Sequence, residues 1–438
     1  MAFSAPSCKK PTAQEVCDRK RISVKTLCIF VVIAPLLIPA ASGKVASPPH
    51  RLVQAQNQFA LALFQSLRQQ AGNLFVSPYS ISTSIGMVFA GAKGQAAAQI
   101  AKLLHLDLLG TIGSPNALKA RYLNAVLRET HDLSHPAAGF NLQAANALWG
   151  SANFHFNRAF ISTIKTDFAG SLKPIDFTNP AIAANRIDQW VAQRTNNKIE
   201  GLIQPGDIRP KTPLILTNAI YFKARWEQPF DYEATYQKPP FRVSPTKHVT
   251  VDMMNQIETF PLAIRHGVKI LSLPYKGGAS MIIILPDDPY GLRAVQARLT
   301  TARLNDWLNH SVNTRVFLTL PKFKTSSTTF LQSPLASMGM TRVFNPSQAD
   351  LAGIAPQTRP RLYIGDMIHK AFIKIDETGT EAAAATATVS VGEAGISDGP
   401  PPPNPIPFVA DHPFIYLIRD NNSGLILFMG RLANPALN

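Results

Sequence analysis

The sequence predicts an α+β fold organised as a single domain. Beyond a leader, apolar residues recur at helical spacing through the first half of the chain. Strand signals dominate the second half, with helices interspersed. The two are not interleaved as regular βαβ units, and neither an internal repeat nor a Pro/Gly linker splits the chain into two cores. Hydrophobic residues make up 46% of the 438 and charged residues 16%. That supplies a large core and excludes a disordered chain.

The elements follow in order. From Arg51 the apolar residues Leu52, Phe59, Leu61, Leu63, Phe64 and Leu67 lie at helical spacing. Asn73 to Pro78 (NLFVSP) reads as a short strand and turn, Ser80–Gly91 as a tightly buried helix rich in small residues, and Ala96–Leu106 as another helix. Strand signals begin near Asn141, and Leu214–Phe222 (LILTNAIYF) reads as a strand buried on both faces. Lys269–Pro274 and Ser280–Pro286 flank Gly277-Gly278, a hairpin signal. Arg315–Lys324 (RVFLTLPKFK) alternates and predicts one half-exposed strand. Phe408–Leu417 and Leu425–Leu432 predict a closing pair around Asp420–Gly424.

The amino terminus reads as an export signal. Lys9, Lys10, Arg19, Lys20, Arg21 and Lys25 precede the 14-residue apolar run Leu27–Ala40, and Ala40-Ala41-Ser42 offers small residues for cleavage after Ser42. An uncleaved anchor is the alternative, but the run is short and holds Pro35 and Pro39. The expected organisation is a signal peptide over 1–42, a linker over 43–50 and a folded domain over 51–438. The mature chain is thus expected outside the cell or in a periplasm, with no membrane contact. Cys8, Cys17 and Cys28 all fall in the leader, so the mature chain has no disulfide, catalytic cysteine or cysteine-based metal site. Removing residues 1–42 takes the net charge from +16 to +12. Such charge suits an acidic polysaccharide, but no dense Lys/Arg run occupies one helix face, so a dispersed solubilising charge is the favoured reading and no nucleic-acid partner is expected.

One stretch stands apart. From Glu377 (ETGTEAAAATATVSVG) the chain continues through Glu393 to the proline-rich Pro400–Pro407. In an extended chain Thr380, Ala382, Ala384, Thr386, Thr388 and Ser390 share one face, all small and uncharged. Glu381, Ala383, Ala385, Ala387, Val389 and Val391 share the other. The first face fits beneath a sheet; the second leaves Glu381 in water. A plain Ala/Thr linker or a helix is the competing reading, but loops of this length in compact domains are usually functional.

At this point the sequence resembles the serpin family over essentially the whole mature chain. The resemblance rests on motifs in family order. They are Asn73–Ser82 (NLFVSPYSIS), Trp190-Val191 with Thr195, Lys198 and Ile199, Thr217–Trp226 (TNAIYFKARW), Met253-Met254, Leu273-Pro274-Tyr275, Leu285-Pro286, Leu320–Phe323, Ala349-Asp350, His369-Lys370-Ala371, Glu377–Thr386, His412-Pro413-Phe414 and Phe428–Arg431. The resemblance implies three β-sheets with eight or nine helices and an exposed reactive-centre loop at about 377–407. It implies a metastable suicide inhibitor of a serine or cysteine endopeptidase, consumed rather than catalytic. No cofactor or metal is implied. The protein is expected to be a monomer, with loop–sheet polymers as a hazard.

By the same resemblance, Glu377, Gly379, Thr380, Glu381, Ala382, Ala383, Ala384, Ala385 and Thr386 form the hinge. Asn73, Ser77, Ser80, Asn218 and His369 resemble the polar cluster beneath the opening strands, and Lys223 and Trp226 the point where the hinge enters. Counting seventeen residues from Glu377 puts the reactive bond at Glu393-Ala394, with cleavage after Val391 or Ile396 as alternatives. Asp188 stands where the family usually has Asn, and Ala224 where Gly is common; both are expected to be tolerated. The stretch between hinge and Pro413 is longer than usual. A non-inhibitory serpin (carrier, chaperone or polyanion binder) is the alternative, disfavoured because no bulky, charged or proline residue lies between Ala382 and Ser390. An enzyme finds no support in a Gly-x-Ser-x-Gly, His-Glu-x-x-His or phosphate-loop motif.

Overall fold

The structure, a computed structural model, describes residues 1, 48–110, 114–134, 140–209, 211–356, 361–380 and 403–437. The signal-peptide reading, and the loop from Glu381 onward, lie outside the described residues. Among those residues the chain forms nine α-helices and three sheets, as the α+β reading predicts. No helix there is long and apolar enough to cross a membrane.

A six-stranded sheet organises the molecule. Its order is Phe323–Phe330, Asp366–Asp376, Gly379–Thr380, Leu214–Arg225, Phe140–Ser151 and Ser171–Ile175. The strand Leu214–Arg225 reads as an unbroken apolar run because both faces are covered. Its Ile215, Ala219 and Tyr221 pack in the core that includes Ala183, Ile187 and Val191 of the helix Pro180–Arg194. Leu214 and Leu216 join the large helical core, and Ile220, Phe222 and Ala224 face a core shared with a nine-stranded sheet. Under the six-stranded sheet runs the helix Pro78–Gly91, buried almost throughout. Ser77 caps it by accepting from the Ser80 amide, and Pro78 occupies its first turn, where a missing N–H costs nothing.

Several predicted boundaries shift. The first helix starts at Pro48, inside the expected 43–50 linker. The predicted strand Arg315–Lys324 is two strands, Val312–Pro321 in the nine-stranded sheet and Phe323–Phe330 in the six-stranded one. Pro321 cannot donate to a ladder and Lys322 turns the chain between sheets. The predicted strand Phe408–Leu417 also divides. Ile406–Val409 pairs parallel with Val312–Pro321, whereas Phe414–Asp420 pairs with Ala279–Pro286 and Ile426–Leu432. His412-Pro413 separates them, His412 Nε2 lying 2.8 Å from the Pro286 carbonyl oxygen.

Candidate functional site

The hinge begins inside the sheet rather than above it. Strands Leu214–Arg225 and Asp366–Asp376 run parallel and are paired from Ile215/Asp366 to Tyr221/Phe372, seven positions. Beyond these positions they part. Gly379–Thr380 sits between them, antiparallel to both: Thr380 pairs with Ile375 and Ala224, and Gly379 with Asp376 and Arg225. The seam is therefore closed over most of its length and wedged open by two residues at one end. The expected loop start at Glu377 is corrected accordingly, since Glu377 to Thr380 belong to a buried turn and strand.

Local chemistry builds this wedge. The Asp376 carboxylate accepts from the Thr378 amide (3.1 Å) and the Thr378 hydroxyl (2.7 Å), which folds the chain back on itself. Gly379 has φ +148°, and a Cβ there would lie 2.1 Å from the Ala224 carbonyl oxygen, so only glycine fits. Thr380 is fully buried and its hydroxyl hydrogen-bonds the Tyr275 hydroxyl at 2.6 Å. Tyr275 in turn stacks on Trp226, with ring centroids 4.2 Å apart. Trp226 fastens the turn twice: its indole N–H donates to the Asp376 carbonyl and its amide to the Thr378 carbonyl, both at 3.0 Å. Glu377 is 1% exposed; its Oε1 accepts from Lys322 Nζ (3.0 Å) and the Thr235 hydroxyl (2.9 Å).

Lower in the seam, a buried polar cluster ties three strands to the helix Pro78–Gly91. His369 Nε2 accepts from the Ser77 amide (3.1 Å), so Nδ1 carries the proton and donates to Asn218 Oδ1. Burial pushes the His369 pKa down to about 3, so the ring is neutral. Asn218 Nδ2 reaches the Ser80 carbonyl (2.9 Å), Ser84 Oγ (3.0 Å) and Asn146 Oδ1 (2.5 Å). Ser77 Oγ donates to the Leu427 carbonyl at 2.7 Å. A neutral, well-satisfied network in a dry seam gives it a single preferred closed arrangement.

Not every sequence-predicted residue arrives there. Ser77, Ser80, Asn218 and His369 come together, but Asn73 does not. Asn73 pins the carboxy-terminal segment instead, accepting from the Ala433 and Asn434 amides at 2.8 and 2.9 Å. Trp226 stands at the wedge, whereas Lys223 is exposed on its strand while its neighbours Phe222 and Ala224 are buried. Asn146 and Ser84 are cluster members that sequence reasoning missed. Their signals were a lone Asn in an apolar half-strand and a Ser one turn beyond Ser80. Asp188 accepts from the Leu202 and Ile203 amides at 2.9 and 3.2 Å, a task that needs only an acceptor oxygen, so Asp can replace Asn. Ala224 fits buried between Phe140 and Thr380. Glu381, Ala382, Ala383, Ala384, Ala385, Thr386, Val391, Glu393, Ala394 and Ile396 lie outside the described residues.

The two central strands are thus paired directly over seven positions beside the buried polar cluster and separated at one end by a two-residue strand. The family model "Serpin (serine protease inhibitor)" matches residues 54–435. The leukocyte elastase inhibitor of Sus scrofa is 37% identical over 397 residues, covering 88% of this chain and all of the relative. Among solved structures, Serpin48 of the insect Tenebrio molitor is similar with a TM-score of 0.77 at 30% identity, covering 89% of this chain and 98% of its own. Human thyroxine-binding globulin is similar with a TM-score of 0.79 at 27% identity, covering 89% of this chain and all of its own. The chain belongs to the serpin family.

Proposed function

We propose that this chain is an exported suicide inhibitor of a serine endopeptidase, or of a cysteine endopeptidase by the same chemistry. The protease nucleophile attacks the carbonyl carbon of Glu393, or of Val391 or Ile396. The peptide bond to the next residue breaks, the new amino group takes the proton, and the protease remains joined as an acyl-enzyme. The hinge then inserts. Continuing the register of Thr380 sets Ala382 against Phe222 and Ile373, and Ala384 against Ile220 and Ala371. Thr386 then arrives opposite Asn218 and His369. Small side chains enter where the buried face is already packed, and a hydroxyl reaches the polar cluster. Insertion exchanges one parallel ladder for two antiparallel ones, which drives the change. The inhibitor is consumed, so it is not a catalyst.

The observation that carries this reading is the doubly paired Gly379–Thr380 wedge. The test is a protease panel: pancreatic elastase, chymotrypsin and a Glu-specific endopeptidase, each mixed with the protein and run on denaturing gels. A detergent-stable complex with release of the carboxy-terminal peptide is expected, and mass analysis of that peptide locates the bond. Cleavage by every member of the panel, with no complex and no gain in thermal stability, would sink the reading. Export is tested by amino-terminal sequencing of the protein from the medium, expected to begin at Gly43.

A further inference from the structure

A cleft of about 420 Å³ opens where the chain leaves its first helix, beside the helix Leu292–Arg298 and the strand Ile426–Leu432. Its walls carry Arg68, Arg293 and Arg431 and, among the described residues, no carboxylate. Arg431 is the buried one, 6% exposed. Its guanidinium donates from Nε to the Gly72 carbonyl (2.9 Å), from Nη1 to the Arg68 carbonyl (3.1 Å) and from Nη2 to the Gln70 carbonyl. These bonds hold the turn after the first helix and leave one hydrogen on each terminal nitrogen. They do not neutralise the charge. Among the described residues Arg431 is in no ion pair, and burial pushes its pKa down. A buried cation lacking an anion is costly.

A second polar group in the same wall is incomplete. Gln296 is 3% exposed, and among the described residues its buried Nε2 has no acceptor. Arg68 and Arg293 stand exposed on the rim, each side chain bonded to a neutral glutamine oxygen, at 3.3 and 3.4 Å. Among the described residues neither is in an ion pair. The nearby Asp288 carboxylate is occupied in its own turn, accepting from the Tyr290 amide at 3.0 Å. Three cations and an unfilled donor therefore surround one cleft, and an anion would satisfy all four. The other walls are apolar: Leu292 and Pro413 are buried, Pro289 is half-buried, and the Tyr290 ring is 47% exposed. The volume falls within the roughly 300–1,000 Å³ of small-ligand sites.

We propose that this cleft binds a small aromatic carboxylate. The carboxylate lies against the Arg68 and Arg293 guanidinium groups, whose planar forks match a pair of oxygens. The ring lies against Tyr290 and the prolines. The apolar walls favour this ligand over inorganic phosphate, a dianion that loses more hydration on entry and has no apolar surface to bury. The inference is independent of protease inhibition, since it uses no residue of the hinge or the wedge.

The test titrates the full protein with naphthoate in a calorimeter. Saturable one-to-one binding is expected, weakened by added salt because the rim arginines are exposed. Arg68→Gln and Arg293→Gln should each raise Kd by about tenfold, the loss of one charge-assisted hydrogen bond. Both residues are exposed, so the fold should be unaffected. Arg431 is left intact because it holds the turn. Arg298→Gln, an exposed residue of the same helix that does not line the cleft, should leave Kd unchanged. Naphthylmethanol, which keeps the ring and lacks the charge, should not compete. The proposal is overturned by the absence of saturable naphthoate binding, by equal binding of the alcohol, or by an unchanged Kd in both rim variants. Tighter binding of inorganic phosphate than of naphthoate overturns it as well, because the apolar walls then contribute nothing.

Discussion

Replacing Thr380 by Arg should convert the protein from a trap into a substrate. Thr380 is 0% exposed, paired on both sides, and its hydroxyl meets Tyr275 at 2.6 Å. A guanidinium there finds the two carboxylates of the wedge already engaged, Asp376 by Thr378 and Lys374 and Glu377 by Thr235 and Lys322. It must lie unpaired in an apolar pocket formed by Tyr275 and Trp226, or the wedge must withdraw. Removing an ionised group from water without a partner costs several kcal/mol, so withdrawal is the cheaper outcome. The first two rungs of the new strand are then lost. If starting insertion becomes harder by about 3 kcal/mol, insertion slows roughly 150-fold while deacylation is untouched. The assay is stoichiometry of inhibition, measured as moles consumed per mole of protease silenced. It should rise from near one toward pure turnover, with cleaved inhibitor replacing complex on denaturing gels. Thr380→Val keeps the shape and removes one neutral hydrogen bond, worth about 1 kcal/mol, and should slow insertion only about fivefold. A Thr380→Arg variant that still traps one protease per inhibitor would refute the reasoning.

Three further outcomes are expected. Glu377→Gln removes the charge paired with Lys322 in a buried site and should lower the urea unfolding midpoint by an equivalent of about 1 to 3 kcal/mol. Asn218→Ala leaves the His369 Nδ1–H without its acceptor and should cost about 3 kcal/mol, seen as a lower midpoint and earlier heat-induced polymers on native gels. The third concerns pH. Burial, with smaller contributions from Asp132 and Asp420, lifts the Glu129 pKa from 4.5 to about 7, despite a 2.7 Å hydrogen bond from Gln56. A raised carboxyl favours the folded state when protonated, so its stabilisation is complete below about pH 4.5. It is lost as pH rises toward 7, by an amount on the order of 3 kcal/mol. Glu129→Gln should flatten that part of the stability–pH curve, measured as the difference from the unmodified protein; parallel curves would contradict the assignment.

Much of the architecture was legible in the sequence because burial leaves a direct pattern. Leu214–Phe222 reads as a doubly buried strand because no position on it meets water. Ser77-Pro78 marks the start of a helix because capping chemistry is local. The small residues alternating from Thr380 mark a chain able to enter a sheet, since period two is a property of any extended segment. Where the pattern failed, the deciding contacts were remote in sequence. Arg315–Lys324 alternates continuously, yet Lys322 sends its two halves into different sheets, and nothing local distinguishes that from one strand. Asn73 and Asn218 are both polar residues beside apolar runs. One meets the carboxy terminus and the other a buried histidine, because their strands have different neighbours.

The sequence by itself therefore determined the α+β composition, the buried strand and helix of the central sheet, and an alternation of small side chains from Thr380. Only the tertiary structure decided that Gly379–Thr380 is already paired within the sheet. Gly379–Thr380 is held between Ala224–Arg225 and Ile375–Asp376, residues that only a parallel crossover brings together. Asp376, Thr378 and Gly379 mark the turn locally, but Ala224 and Arg225 are remote in sequence, so nothing local announces them as its partners.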